Sequence, residues 1–142
     1  MSYQVRDALT RLTLALPNGA ATAYATPGID LGALSTSGRN LADCELLLSA
    51  PALTTGQQPD AKTLIYSILI DTVDPIDASS TVMNLSVLTQ TGAGGAGAAA
   101  ATWRGKIPTV FSLASARIVG FRAIGSAAGD ASAASATLEL LV

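Results

Sequence analysis

The chain has 142 residues, of which 49% are hydrophobic, 13% charged and 4% aromatic. Its formal net charge of −2 gives no electrostatic argument for binding nucleic acid or an anionic membrane surface. A single cysteine excludes a disulfide-stapled scaffold, and the length fits one domain with its own core. Because there is little charge to cover the surface, we expect part of it to be covered by further copies of this chain or by a larger assembly.

The first segment, MSYQVRDALTRLTLALPNG, has no basic stretch followed by an apolar run, so we expect no signal peptide. No segment reaches the ~18 uninterrupted apolar residues of a membrane span. These features are typical of a soluble protein of intracellular origin. We interpret residues 1–9 as an N-terminal arm and residues 10–142 as a single domain.

Short extended segments follow one another along the first half of the chain. RLTLAL and ATAY flank PNG, which predicts a weak first hairpin. A strand is predicted over residues 46–53. Residues 62–71 predict a central strand buried on both faces, because both alternating sets of side chains are largely apolar. TVDPIDASS predicts a hairpin loop, and residues 81–89 the returning strand.

Further strands are predicted over residues 102–107, 116–126 and 137–142, and in the last of these Glu139 lies on the side opposite the leucines Leu138 and Leu140. No segment has a sustained helical stripe, and the long helices that parallel strands require between them are missing. Seven or eight short strands separated by Gly, Pro, Asp and Ser predict an all-β sandwich or barrel.

One glycine-rich segment matches a cofactor motif. Gly92, Gly94 and Gly97 spell G-x-G-x-x-G directly after a predicted strand, the outline of a dinucleotide-binding turn. That turn requires a helix after the third glycine and an acidic residue about 20 positions later. The following AAAATW is too short for such a helix, and no Asp or Glu occurs between Asp77 and Asp130. We therefore interpret the segment as a flexible loop and expect no cofactor.

Catalytic residues are not apparent. The chain has no histidine, which removes Ser-His-Asp and Cys-His catalysis and the usual zinc sites. A Ser–Lys or Ser–carboxylate site stays formally open, but nothing places a serine beside Lys62 or Lys106. Cys44 has no basic neighbour that would lower its pKa, so we interpret it as a small residue beside a strand. The sequence predicts no enzyme, no catalytic residue and no small-molecule substrate.

Three carboxylates in the predicted hairpin loop, Asp71, Asp74 and Asp77, could in principle hold Ca²⁺. They lack the D-x-D-x-D-G spacing and the bidentate Glu of a calcium loop. Side-chain hydrogen bonds within the turn are the interpretation we favour, and we expect no metal site.

The cationic residues form a regional pattern. Trp103 stands beside Arg104 and Lys106 and could stack a base or a sugar, although a tryptophan packed at a strand end with both cations in solvent is favoured. Residues 78–129 contain only four charged residues, all cationic: Arg104, Lys106, Arg117 and Arg122. These cations either pair with carboxylates across a sheet, which we favour, or form a contact patch for an acidic partner.

The order of these segments resembles a known family. DCELLLSAPAL, KTLIYSILID with a D-x-x-D-P-x-D hairpin, TVMNLSVLTQTGAGGAGAA, ATWRGKIP and ARIVGFRAIGSAAGDASAASATLELLV together cover about residues 43–142. This succession is similar to the small decoration, or cement, proteins of tailed-bacteriophage heads. The closing piece is the most specific part, with an Arg-containing strand, an Ala/Gly/Asp/Ser loop and ATLELLV at the end.

The resemblance implies a single-domain, jelly-roll-like antiparallel β-sandwich with Gly/Ala-rich loops. It implies a non-enzymatic virion structural protein that binds the major capsid protein on the outside of an icosahedral head, often as a homotrimer, after synthesis in the host cytoplasm. As interface residues we expect Tyr3 and Arg6 in the arm, together with Trp103, Arg104 and Lys106.

Two alternatives stay open. The first is a tail-associated or receptor-binding module of the same fold that recognises a host glycan, because β-sandwiches carry many functions. The second is a tail-tube or head–tail connector component, which differs from a decoration protein mainly in the symmetry of its assembly.

Overall fold

The computed structural model describes residues 6–25, 28–30, 44–71, 81–107, 118–125 and 129–141, and for residues 6–10, 30, 71, 81–83 and 118–125 it describes the backbone alone. Within these ranges every regular element is a β-strand and no helix occurs. The strands of this part of the chain are β1 (Arg6–Ala15), β2 (Thr22–Tyr24), β3 (Ile29–Asp30), β4 (Glu45–Ala50), β5 (Thr63–Asp71), β6 (Thr81–Thr91), β7 (Ala101–Lys106), β8 (Ile118–Gly125) and β9 (Ser135–Leu141). The predicted all-β class is confirmed.

The strands form two sheets in which all neighbours are antiparallel. In the first sheet the order is β1-β9-β4-β7. In the second sheet the order is β2-β8-β5-β6, and β3 also pairs with β8, beside β2. Sequence neighbours often lie in different sheets, so the chain crosses repeatedly between the two.

The pairing partners follow a simple rule along the chain. β1 pairs with β9, β2 with β8, β4 with β7, and β5 with β6. The chain is therefore folded back on itself about the connection between β5 and β6, so that its first half runs against its second half. Two more ladders, β4 with β9 and β5 with β8, join these pairs into the two sheets.

Side-chain alternation decides which face of each sheet is buried. In β4, Leu46 and Leu48 are fully buried, whereas Glu45 and Leu47 on the other face are half-buried. Both sheets contribute to one apolar cluster, whose largest fully buried side chains are Leu16, Leu46, Leu48, Leu64, Tyr66, Ile68, Ile70, Leu138 and Leu140. Burying one such side chain contributes about 1.5–3 kcal/mol. The face of each sheet that carries these residues is called the inward face below.

The interpretation of β5 as a central strand is confirmed. It lies between β6 and β8, and it forms the predicted hairpin with β6. On its inward face the apolar residues belong to the common cluster, and on its other face Ser67 and Leu69 are also buried. Leu69 packs against Tyr24 of β2 on that second face.

Predicted strand ends agree with the observed ends within two residues for β5, β6, β7, β8 and β9. The strand predicted over residues 46–53 instead ends at Ala50, because Pro51 lacks the N–H that a ladder requires. Leu53 makes only an isolated bridge with Ala98.

The first predicted hairpin is wrong. RLTLAL lies in β1 and pairs with β9 in the first sheet, whereas ATAY lies in β2 and pairs with β8 in the second sheet. The connection between them crosses from one sheet to the other. It is bonded to the β8–β9 connection, since Asn18 bridges Asp130 and the Gly19 N–H donates to the Gly129 carbonyl at 2.6 Å.

The predicted arm overlaps β1. Residues 6–9 of the expected arm belong to this strand, where Arg6 is the register partner of Leu141. Residues 1–5, with Tyr3, lie outside the described residues, so an arm of that shorter length stays a prediction, as does the single-domain boundary.

Candidate functional site

The interface residues predicted on β7 point to two different faces. Trp103 is half-buried and packs against the common apolar cluster, whereas Arg104 and Lys106 are exposed on the opposite face. The indole covers Gly105, where an added Cβ would lie 2.5 Å from Trp103 Cζ2. Trp103 therefore packs against the apolar cluster, as favoured from the sequence, but from inside β7 and not from its end, and it does not share a surface with the two cations.

Arg104 and Lys106 meet Glu45 on the neighbouring strand β4. Arg104 Nε donates to Glu45 Oε2, and Lys106 Nζ lies 3.7 Å from Glu45 Oε1. Lys106 is directly opposite Glu45 in the ladder and Arg104 is diagonal to it. The hydrogen bond from Arg104, followed by the positive charges of Arg104 and Lys106, lowers the pKa of Glu45.

Charge pairing across the sheet, the interpretation favoured from the sequence, is thus confirmed for Arg104 and Lys106. Arg117 lies outside the described residues and Arg122 is described by its backbone alone, so pairing of these two stays a prediction. A further pair joins β1 to β9, where Arg11 Nε lies 3.6 Å from Glu139 Oε1.

The charged residues belong to a polar face that we call the outer face of the first sheet. Across the sheet, one row contains Arg11, Glu139, Leu47 and Arg104 in successive strands. The next row contains only hydroxyl residues: Thr13, Thr137, Ser49 and Thr102. In these two rows the described side chains are paired charges and hydroxyls, with Leu47 as the one apolar residue among them.

Four connections meet at one end of the molecule, which we call the loop end: residues 16–21, 51–62, 92–100 and 129–134. Residues 51–62 and 92–100 are joined by a two-way backbone pair between Leu53 and Ala98, at 2.8 and 3.0 Å. The Asp130 N–H donates to the Gly56 carbonyl at 3.3 Å and links the loop of β8–β9 to that of β4–β5. The loop end is therefore one cross-bonded unit.

The glycine-rich segment 92–100 is part of this unit. It connects β6 to β7, so Gly97 stands between two strands and not at the beginning of a helix. The Gly95 N–H donates to the Asp60 carboxylate at 2.9 and 3.2 Å, and Thr55 Oγ1 donates to the Gly95 carbonyl at 2.7 Å. The loop is predicted correctly, hydrogen bonds join it to residues 51–62, and its flexibility stays a prediction.

At two positions of this segment the neighbouring loop is so close that only glycine fits. A Cβ on Gly97 would lie 1.9 Å from the Leu53 carbonyl oxygen, and a Cβ on Gly92 would lie 2.2 Å from the Pro59 carbonyl oxygen. Gly97 also has a φ of 73°. Only glycine allows the two backbones to approach this closely.

A buried amide anchors the loop end to the core. Tyr66 Oη donates to Gln90 Oε1 at 2.6 Å, and Gln90 Nε2 donates to the carbonyls of Pro51 and Ala99 at 2.8 and 2.9 Å. Burial raises the pKa of Tyr66. No role for Gln90 is predicted from the sequence. The available signal was a large amide side chain at an inward position of β6, opposite Leu64.

Of the remaining residues for which the sequence predicts a role, the structure describes one fully and the others in part or not at all. Cys44 is buried in the apolar cluster directly before β4, as expected. Asp74 and Asp77 lie outside the described residues, and Asp71 is described by its backbone alone, so their role in a hairpin turn stays a prediction. Within the described ranges no group of three or more Asp, Glu or Cys residues is arranged to hold a metal ion.

The part of the chain that the structure describes contains no helix long and apolar enough to cross a membrane. Compared with models of protein families and with curated proteins, the chain matches none.

Proposed function

We propose that this chain is a non-enzymatic virion structural protein that binds the outside of an icosahedral phage head and stabilises it by bridging major capsid protein subunits. The observation that carries this proposal is the folded-back pairing of β1 with β9, β2 with β8, β4 with β7 and β5 with β6. It agrees with the family resemblance of residues 43–142, which was drawn from the sequence alone.

This pairing supports a jelly-roll sandwich. When β2 and β3, which follow each other along β8, are counted as one interrupted strand, each sheet has four strands and the two sheets share one core. Eight antiparallel strands in two sheets, with a chain that crosses between them, define the jelly roll, an architecture of viral capsid and lectin domains. Fold alone does not decide between those two uses.

The mechanism follows from mass action. A subunit that contacts two neighbouring capsomers buries surface in the assembled shell that free capsomers leave in water, so binding favours the assembled state. The cross-bonded loop end and the polar outer face of the first sheet are the surfaces that we propose for this contact. We propose the major capsid protein as partner, a homotrimer as the bound form, and the capsid exterior as location.

The first test is cryo-electron microscopy of particles that co-purify with the affinity-tagged chain. We expect density for the chain on the outer surface of heads. Heads stripped of the chain should lose heat stability and regain it when purified chain is added back. Location on a tail, or heads equally stable with and without the chain, would contradict the proposal.

Variants identify the docking residues. Arg104→Ala and Lys106→Ala should lower occupancy on heads, whereas Thr102→Ala, on the same face of β7, serves as the matched control. Deletion of residues 2–5, which leaves β1 whole, tests the shortened arm with Tyr3. If a variant has unchanged occupancy on heads, the residues changed in it are not part of the interface. The capsid role itself is then tested by the microscopy alone.

A glycan-binding module of a phage tail is the second candidate, since lectins share this architecture. Two features argue against it. Trp103 and Arg104 lie on opposite faces of β7, so they do not form one stacking site. The described loop-end residues include no aromatic side chain on which a sugar ring could stack. A glycan array with a saturable binder, together with absence from heads, would favour this candidate.

A further inference from the structure

The connection between β1 and β2 carries a chemically reactive dipeptide, Asn18–Gly19. The chain has three asparagines, and Asn40 and Asn84 are each followed by leucine, whereas Asn18 is followed by glycine. Glycine has no Cβ, so its backbone nitrogen is unhindered and can approach the preceding side-chain amide. The Asn18 side chain is also exposed to water. Asn18 is therefore the asparagine most open to attack by the backbone nitrogen that follows it.

The reaction at this dipeptide needs no partner other than water. The Gly19 nitrogen loses its proton to solvent and forms a bond to Cγ of Asn18. The bond from Cγ to the side-chain nitrogen breaks, and that nitrogen takes up a proton and leaves as ammonia. Water then opens the cyclic imide at either of its carbonyls, giving aspartate or isoaspartate. The net change is the exchange of a neutral amide for a carboxylate.

In the fold, the nitrogen that would attack is held by the neighbouring connection. The Gly19 N–H donates to the Gly129 carbonyl at 2.6 Å. Beside it, the Ala131 N–H donates to the Pro17 carbonyl at 3.3 Å, so a second hydrogen bond joins the same two connections. The nitrogen must give up its proton and turn toward Cγ of Asn18 before it can react. The reaction therefore requires this contact to open.

We propose that Asn18 is a deamidation site that the closed loop end protects, so that its amide is converted in molecules whose 16–21 and 129–134 connections have separated. The rate of conversion in the folded protein is the rate in the unfolded chain multiplied by the fraction of molecules in the open form. Opening breaks at least the two hydrogen bonds described above, which lowers that fraction about tenfold or more. Conversion of Asn18 thus records how long the loop end has been open, independently of the proposed capsid role.

Conversion also weakens the contact that protects the site. Asn18 makes an antiparallel bridge with Asp130, and the hydroxyl and backbone N–H of Ser132 donate to Asp130 Oδ1 at 2.6 and 3.0 Å. These bonds lower the pKa of Asp130, so its carboxyl is ionised at neutral pH. A carboxylate at position 18 would face this charge, and like charges directly opposite each other are destabilising. Isoaspartate also lengthens the backbone and shifts Gly19 relative to Gly129.

The first test follows all three asparagines by peptide mass spectrometry in the full chain. One sample is folded in buffer and the other is unfolded in guanidinium chloride at the same pH and temperature. In the unfolded chain Asn18 should convert faster than the internal controls Asn40 and Asn84. In the folded chain Asn18 should convert about tenfold or more slowly than in the unfolded chain. Equal rates in the two states would overturn the protection, and an unfolded Asn18 that converts no faster than Asn84 would overturn the site.

Gly129→Ala tests the contact itself. An added Cβ would lie 2.4 Å from the Gln57 carbonyl oxygen, so this segment must shift and carry the Gly129 carbonyl with it. Conversion of Asn18 in the folded variant should rise toward the rate of the unfolded chain. Gly56→Ala is the matched control, because its Cβ would meet only Thr54 Oγ1 at 3.9 Å, and it should keep the wild-type rate. An unchanged rate in a folded Gly129→Ala would overturn the inference.

Hydrogen exchange of the Gly19 amide tests the same opening without a destabilising variant. In the wild type its exchange should be slowed by the same factor as the conversion of Asn18, because both reactions require the open form. Exchange at the rate of an unprotected amide would overturn the protection. Asn18→Asp, which reproduces the aspartate product, should protect the Gly19 amide less than the neutral control Asn18→Ser does. Equal protection in these two variants would show that conversion does not weaken the contact.

Discussion

The loop end and the interior between the sheets are held together in different ways. The interior is filled by apolar side chains, among them Leu48, Tyr66 and Leu138, which are fully buried. The loop end has few large apolar residues and is joined by backbone hydrogen bonds, with Gly92 and Gly97 in near contact with the adjacent loop. An interior of this kind tolerates exchange of one apolar residue for another of similar volume, whereas a close backbone contact tolerates no side chain at all.

The largest effect is expected from Gly97→Ala. Its Cβ would overlap the Leu53 carbonyl oxygen, and its φ of 73° is unfavourable for alanine. We expect a loss of about 4 kcal/mol in the free energy of unfolding. Gly94→Ala is the matched control, because Gly94 has a φ of 63° but nothing within 4 Å of the added Cβ, and should cost about 1–2 kcal/mol. Urea denaturation measures both, and equal losses would show that the close approach of the loops is unimportant.

The corresponding change in the interior is Leu138→Ala. Leu138 is fully buried, and its removal leaves a cavity, so we expect a loss of about 3 kcal/mol. Leu47→Ala, on the half-buried outer face of β4, should cost less than half as much. If both variants unfold at the same denaturant concentration, the assignment of the inward faces is incorrect.

A smaller effect is expected where the two regions are joined. Gln90→Leu removes the acceptor of the Tyr66 hydroxyl and the donor to the carbonyls of Pro51 and Ala99, which should cost about 2 kcal/mol. In the double variant with Tyr66→Phe no buried hydroxyl is left without a partner, so the combined loss should be smaller than the sum of the two single losses. Strict additivity would mean that the two side chains do not interact.

The smallest effect concerns the outer face of the first sheet. The pKa of Glu45 is lowered in the folded protein, so its contribution to stability is present above the pKa of the unfolded state and is lost as pH falls through the folded value. The midpoint temperature of thermal unfolding should therefore be slightly higher for the wild type than for Glu45→Gln at pH 7, and the two temperatures should become equal in acid. Convergence in 1 M salt is also expected, since salt screens exposed pairs. If the difference between the two unfolding temperatures instead grows as the pH falls, the ion pairs of Glu45 do not stabilise the protein.

Local pattern was enough to predict most strands. The apolar residues on both faces of 62–71 and the alternation in residues 81–89 identify the hairpin of β5 and β6, because these strands are neighbours in sequence as well as in space. The same reasoning failed at PNG, where a turn that is typical of a hairpin instead carries the chain from one sheet to the other. No local feature distinguishes these two uses of a turn.

Sites that depend on distant residues could not be predicted. The need for glycine at Gly97 comes from the backbone of Leu53, and the role of Gln90 comes from carbonyls at Pro51 and Ala99. The pairing of Arg104 and Lys106 was predicted from regional charge, but Glu45 as their shared partner required knowledge that β4 and β7 are neighbours.

The position of β9 between β1 and β4 has a consequence for how the chain is made. Arg6 pairs with Leu141, so the first sheet joins residues that are far apart along the chain. Contacts between distant residues form slowly, whereas the local hairpin of β5 and β6 can form early. On the ribosome the leucines of β1 and β4 therefore lack the strand that lies between them until β9 has emerged.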